Sequence, residues 1–296
     1  MTRGVVSAAK ATALEILSEP LTLLVLLAAL TIAVLAPAFH YHQFGEATRM
    51  ARDAGFSALF TCGSIVAVFG TIRAFRREIE SGTIQMALSH PVSRGGFFVA
   101  KALGAFVAYL AFAATVFCTS LAIVEGARVG GAVAARTGDI ARLSGPFLVA
   151  GVAVMLLPLL LGAALNRFAR CRFVLTSTLT ALALAVVAGA ASLALDPGLV
   201  LRYVPVAVLL APPALVLLAA SAAFAVRLAA NAAAAAVGVV AALCAPAVGN
   251  YYMADALSGG GSLPWGYVGL AALCAAPAAL AFVLLGLRFV GGRDVS

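Results

Sequence analysis

This sequence predicts an all-α fold, a polytopic bundle of transmembrane helices, and three observations predict it. Hydrophobic residues make up 64% of its 296 residues and charged ones only 10%, where a soluble globular chain carries about 25% charged residues. The mean hydropathy is +1.11. The apolar residues gather into runs of the roughly 20 residues that cross a bilayer as a helix, and the tightest basic clusters lie at alternate ends of those runs. The bilayer, rather than a water-excluding core, therefore sets the architecture.

Eight runs have spanning length: residues 21–39, 54–72, 98–124, 146–165, 173–195, 203–226, 228–249 and 265–288. The third is overlong, and Lys101 near its start can snorkel to the interface. The link at Arg227 is tight. Residues 203–249 therefore admit a second reading, with Pro205, Pro212 and Pro213 as breakers. That reading gives six spans plus a helical hairpin. With the N-terminus inside, thirteen of the nineteen Lys and Arg residues fall inside. They include Arg73, Arg76, Arg77, Arg94 and Lys101 at one link and Arg167, Arg170 and Arg172 at another. Arg49, Arg52, Arg128, Arg136, Arg142 and Arg202 fall outside. Both termini are then cytoplasmic.

Residues 5–19 put Val6, Ala9, Ala13, Ile16 and Leu17 on one side at helical spacing, which predicts an interfacial amphipathic helix along the inner leaflet. A plain cytoplasmic extension of the first helix is the alternative. The first run ends in Ala36-Pro-Ala38, which resembles a signal-peptidase site. About twenty residues, Glu15 and Glu19 among them, precede the run, which argues for a retained first helix. The whole chain, 1–296, reads as a single transmembrane domain, with Ser258-Gly-Gly-Gly-Ser262 as an outer turn.

The net charge is +8. The basic residues are scattered between spans, with no basic stripe interleaved with aromatics, so no nucleic-acid partner is expected. The five cysteines show no CxxC spacing and read as packing residues. His40 and His42 lack a third ligand nearby, and His90 reads as structural, so no metal site is expected. Glu125 and Asp196 fall at outer span ends and Asn166 at an inner end. No Asp, Glu or His chain runs through the spans to relay protons, which counts against an ion-coupled carrier. No cluster at one membrane face suits an enzyme or an assembly scaffold. Gly95-Gly-Phe-Phe-Val-Ala-Lys101 lacks the glycine before the lysine and the Ser/Thr after it that a phosphate loop needs. No catalytic or cofactor-binding residues are therefore assigned, and ATP, if used, is bound by another chain.

The informative segment is the charged block from Arg73 to Lys101. Arg73 to Glu80 continues the second span as a polar helix. Ser81-Gly82 breaks it, Thr83 can cap a short helix, and Pro91 ends that helix. Ser93 can cap the third span. Physics alone leaves two readings open, an ordinary solvated loop with topogenic charge or a docking element.

The stretch Arg77-Glu-Ile-Glu-Ser-Gly-Thr-Ile-Gln-Met-Ala-Leu-Ser-His-Pro-Val-Ser-Arg94, with Lys101 following, resembles the intracellular loop of ABC-2-type transporter permeases. The matching positions are Glu80, Gly82, Thr83, Leu88, Pro91, Val92, Ser93, Arg94 and Lys101. Lys10, Glu15 and Glu19-Pro20 resemble the helix that leads into that family's first span. The resemblance covers residues 5–124. Beyond them, only the apolar pattern and the basic loop from Asn166 to Arg172 are compatible. The resemblance implies a two-fold dimer with a second permease copy or homologue in the bacterial inner membrane. It also implies cytoplasmic ATPase subunits that bind ATP and Mg, and a coupling helix within 74–97 resting on them. By the same resemblance, Glu78, Glu80, Gly82, Thr83 and Arg94 are the expected ATPase contacts. The uncharged span interiors favour a hydrophobic or amphipathic substrate, and the resemblance implies export; an ion-coupled transporter, or a scaffold for envelope or metalloenzyme assembly, is the alternative.

Overall fold

A computed structural model describes residues 2–38, 47–80, 94–137, 145–241 and 264–291. Among them every regular element is helical. They are α1 (Thr2–Leu17), α2 (Pro20–Leu35, with a 3-10 turn at Ala36–Ala38), α3 (Ala47–Ile65) and α4 (Thr71–Glu80). Then come α5 (Arg94–Thr137), α6 (Gly145–Ala169), α7 (Phe173–Leu195), α8 (Gly198–Arg227), α9 (Ala230–Ala241) and α10 (Trp265–Gly291). Among the described residues, six helices are long and apolar enough to cross a membrane, and the α1–α2 pair makes a seventh if counted as one span.

The local causes are legible. Pro20 takes the first position of α2, where its missing N–H is needed by no bond. The residue before a proline is pushed out of the helical region, and Glu19 is extended, with φ −76° and ψ 134°. The chain therefore breaks between α1 and α2, and the two helices are bent by 62°. The second predicted span is one helix from Thr48 to Glu80, interrupted by a π-helical turn at Val66–Gly70. The predicted third span is longer than expected, 44 residues from Arg94 to Thr137.

Two expectations need correction. Pro205, Pro212 and Pro213 do not break the chain but lie inside the continuous 30-residue α8. Pro205 and Pro212 are buried, where neighbouring helices enclose the backbone they disturb. The break falls instead at Leu228 and Ala229, just after Arg227. Of the run 228–249, residues 228–241 are described, and Ala230–Ala241 form a 12-residue apolar helix. Lys101, in turn, does not snorkel but is buried, at 1% exposure.

The chain forms two compact units. The first comprises residues 1–16, 64–109 and 205–296. Its core joins Ile72 and Phe75 of α4, Phe98 of α5, Ala222, Ala225 and Val226 of α8 and Ala233 of α9, with Val283, Leu287 and Val290 of α10 packed on it. Phe75 and Phe98 meet at 5.4 Å between ring centroids. α1 lies against α5 at Gly104, where a Cβ would run into the Ala9 carbonyl and the Thr12 side chain. Thr12, Ala13 and Ile16 are buried, while Val6, expected on the same face, is 66% exposed. It lies two helical turns before Ala13, beyond the contact.

The second unit comprises residues 17–63 and 110–204. Small residues let its helices approach closely, as packing in lipid favours. Gly55 faces Ser120, Gly151 faces Val34 and Ile123, and Gly162 faces Ser177. The Thr178 hydroxyl donates to the Leu17 carbonyl at 3.2 Å. Phe56 packs between Phe117 and Tyr203, at 6.1 and 6.2 Å.

Candidate functional site: the base of the charged loop

α4 buries Thr71, Ile72, Ala74 and Phe75 and turns Arg73, Arg77 and Glu80 outward. This is the pattern of a helix with one face on protein and one in water. Arg76 and Glu80, one turn apart, pair at 3.0 Å.

Two ion pairs fix this short helix to its neighbours. From α5, Lys101 reaches back across 27 residues, and its Nζ donates to the Ala74 carbonyl at 2.5 Å. The same Nζ lies 3.0 Å from Glu78 Oε2, 5.4 Å from the Phe75 ring centroid and 5.8 Å from that of Phe97. A buried ammonium requires such company, because its desolvation is offset only by a close counter-charge and further acceptors. On the other side, Arg77 Nη1 meets Glu15 Oε1 of α1 at 3.4 Å. This second pair is solvent-exposed at Arg77 and contributes little by itself.

The five residues expected to meet an ATPase are placed unevenly. Glu78 is partnered by Lys101. Glu80, the last residue of α4, has a side chain 64% exposed. Gly82 and Thr83, together with the predicted short helix and His90, lie outside the described residues. Arg94 opens α5. Sequence reasoning missed the Arg77–Glu15 brace. The signal available was a carboxylate on the polar side of the amphipathic 5–19 segment.

A second ionic cluster lies in the other unit. Glu125, 1% exposed, accepts two hydrogen bonds from Arg128, at 2.8 and 2.5 Å. Arg128 also lies 3.7 Å from Asp196, whose Oδ1 accepts from the Gly198 N–H at 2.9 Å. Glu125 was expected at an outer span end, and α5 continues past it as helix to Thr137. The cluster ties α5 to the α7–α8 link.

A profile for the ABC-2 family transporter proteins matches residues 18–187. The chain belongs to the ABC-2 transporter family. It is thus a multi-pass membrane permease of the ABC-transporter type. The match begins at the α1–α2 break and runs into α7. It leaves α1 outside and extends well past residue 124, where the sequence offered only an apolar pattern. No curated protein and no solved structure matches the permease.

Proposed function

We propose that this permease exports a hydrophobic or amphipathic substrate, driven by ATP and Mg bound in separate cytoplasmic ATPase subunits. In this reading it works as a dimer with a second copy or a homologue in the bacterial inner membrane, with both termini cytoplasmic. The segment 74–97 rests on the ATPase, which Glu80, Gly82, Thr83 and Arg94 contact directly. Glu78 serves the same contact by holding α4 in place through Lys101.

One observation carries the proposal. The helix leading into the loop is fastened to α5 by Lys101–Glu78 and to α1 by Arg77–Glu15. A displacement applied at the loop is therefore passed to the 44-residue α5 and to α1, rather than absorbed by a slack connection. The scarcity of unpaired charge within the spans supports an apolar cargo.

Substituting Glu80→Arg, and separately Gly82→Trp, tests this reading. Both variants are expected to insert at normal levels while ATP hydrolysis is uncoupled from transport or ATPase association is lost. Normal coupling and normal association in both would overturn it. Co-purification supplies the partner test: a separate ATPase chain at equal stoichiometry supports the reading over an ion-coupled carrier or a scaffold.

A further inference from the structure

The turn between α6 and α7 holds three arginines in six residues, Arg167, Arg170 and Arg172, and the coupling proposal does not use them. Asn166, Arg167 and Arg170 line an open cleft with Ala163 and Phe173, of about 480 Å³. No described carboxylate pairs with any of the three arginines. Arg170 adopts φ 53°, a left-handed conformation that glycine takes freely and a branched side chain resists. It is the residue just past the last turn of α6, and the Cys171 N–H closes that helix end on the Leu165 carbonyl at 3.5 Å.

The surroundings specify the chemistry of a ligand. α6 has 25 residues and α7 has 23, so each is roughly 35 Å long, against an apolar layer about 30 Å thick. Their shared turn therefore lies at headgroup depth. Phe168, 87% exposed, and Leu165 offer apolar surface on the last turns of α6. Guanidinium groups and an amide on one side and bare hydrocarbon on the other match a molecule with a phosphate and acyl chains. Basic recesses between membrane helices hold anionic lipid headgroups in this way.

We propose that this cleft binds the headgroup of an anionic phospholipid, with Arg167, Arg170 and Asn166 on the phosphate and Phe168 and Leu165 against the chains. The inference rests on α6 and α7 crossing the membrane, not on the ATPase partner or the cargo.

The test titrates dioleoylphosphatidylglycerol or dioleoylphosphatidylcholine into the delipidated, detergent-solubilised permease and counts bound lipid by native mass spectrometry. The double variant R167A/R170A should bind phosphatidylglycerol roughly tenfold or more weakly, with phosphatidylcholine unaffected. R136A/R202A, which removes two arginines elsewhere, should bind as the parent does. Both altered arginines are exposed, so the fold should persist, and the unfolding temperature checks this. Should the double variant unfold, R170Q alone should still weaken binding severalfold. Unchanged binding, or an equal loss in R136A/R202A, overturns the proposal. Displacement of the lipid by millimolar inorganic phosphate assigns the cleft to a free anion instead and overturns it too. Loss of ATPase association with lipid binding intact marks the turn as a protein-docking surface, with the same consequence.

Discussion

Lys101 and Glu78 are one ion pair with two unequal halves. The lysine side chain is 2% exposed and the glutamate 29%. Removing the glutamate strands a buried cation, which costs about 3–5 kcal/mol when its counter-charge is lost. Removing the lysine strands a carboxylate that still reaches solvent, so the cost falls to about 1–3 kcal/mol. Glu78→Ala should therefore lower thermal stability more than Lys101→Met, by calorimetry or light scattering on the purified permease. The reverse order would mean that Lys101 is held mainly by the Ala74 carbonyl and the two rings. The Arg77–Glu15 pair is the contrasting case. Arg77 is 71% exposed, so Arg77→Glu should cost less than about 1 kcal/mol. If the pair transmits displacement from the loop to α1, that variant should nonetheless impair ATP-coupled transport, and the swap Arg77→Glu with Glu15→Arg should restore it. An unrestored swap would remove α1 from the coupling path.

At the level of elements, α1 is placed by the absence of a side chain. At Gly104 any Cβ meets the Ala9 backbone, which cannot swing aside as a flexible side chain can. Gly104→Val should push α1 off α5 and destabilise by about 1–3 kcal/mol, measured as a lower unfolding temperature and faster proteolysis within residues 2–17. The broader pattern of helices was legible. Apolar run length located the six helices long enough to span, and the tight link at Arg227 marked the end of α8. The prolines of α8 misled because a proline's effect depends on what surrounds the backbone it disrupts, and burial among neighbours is a tertiary property. The π-helical turn at Val66–Gly70 left no mark in the apolar pattern. Ile16 of α1 packs against Gly70 there, where a Cβ would sit 2.9 Å from the Ile16 side chain.

For the whole molecule, composition alone settled that the chain lives in a membrane. With 10% charged residues there is not enough polar surface to face water. The charged block and its spacing pointed to the ABC-2 family, and the match over residues 18–187 established it. What the sequence could not determine was the partner of each charge. Lys101 was expected at the interface; tertiary structure buries it against Glu78. It also brought Glu125, Arg128 and Asp196 into one cluster, although Asp196 lies far from the other two in sequence. Run length and hydropathy are local quantities, set by the thickness of the bilayer and readable from consecutive residues. Ion pairing and helix contact depend on which faces meet across long sequence separations, and only the folded chain decides that.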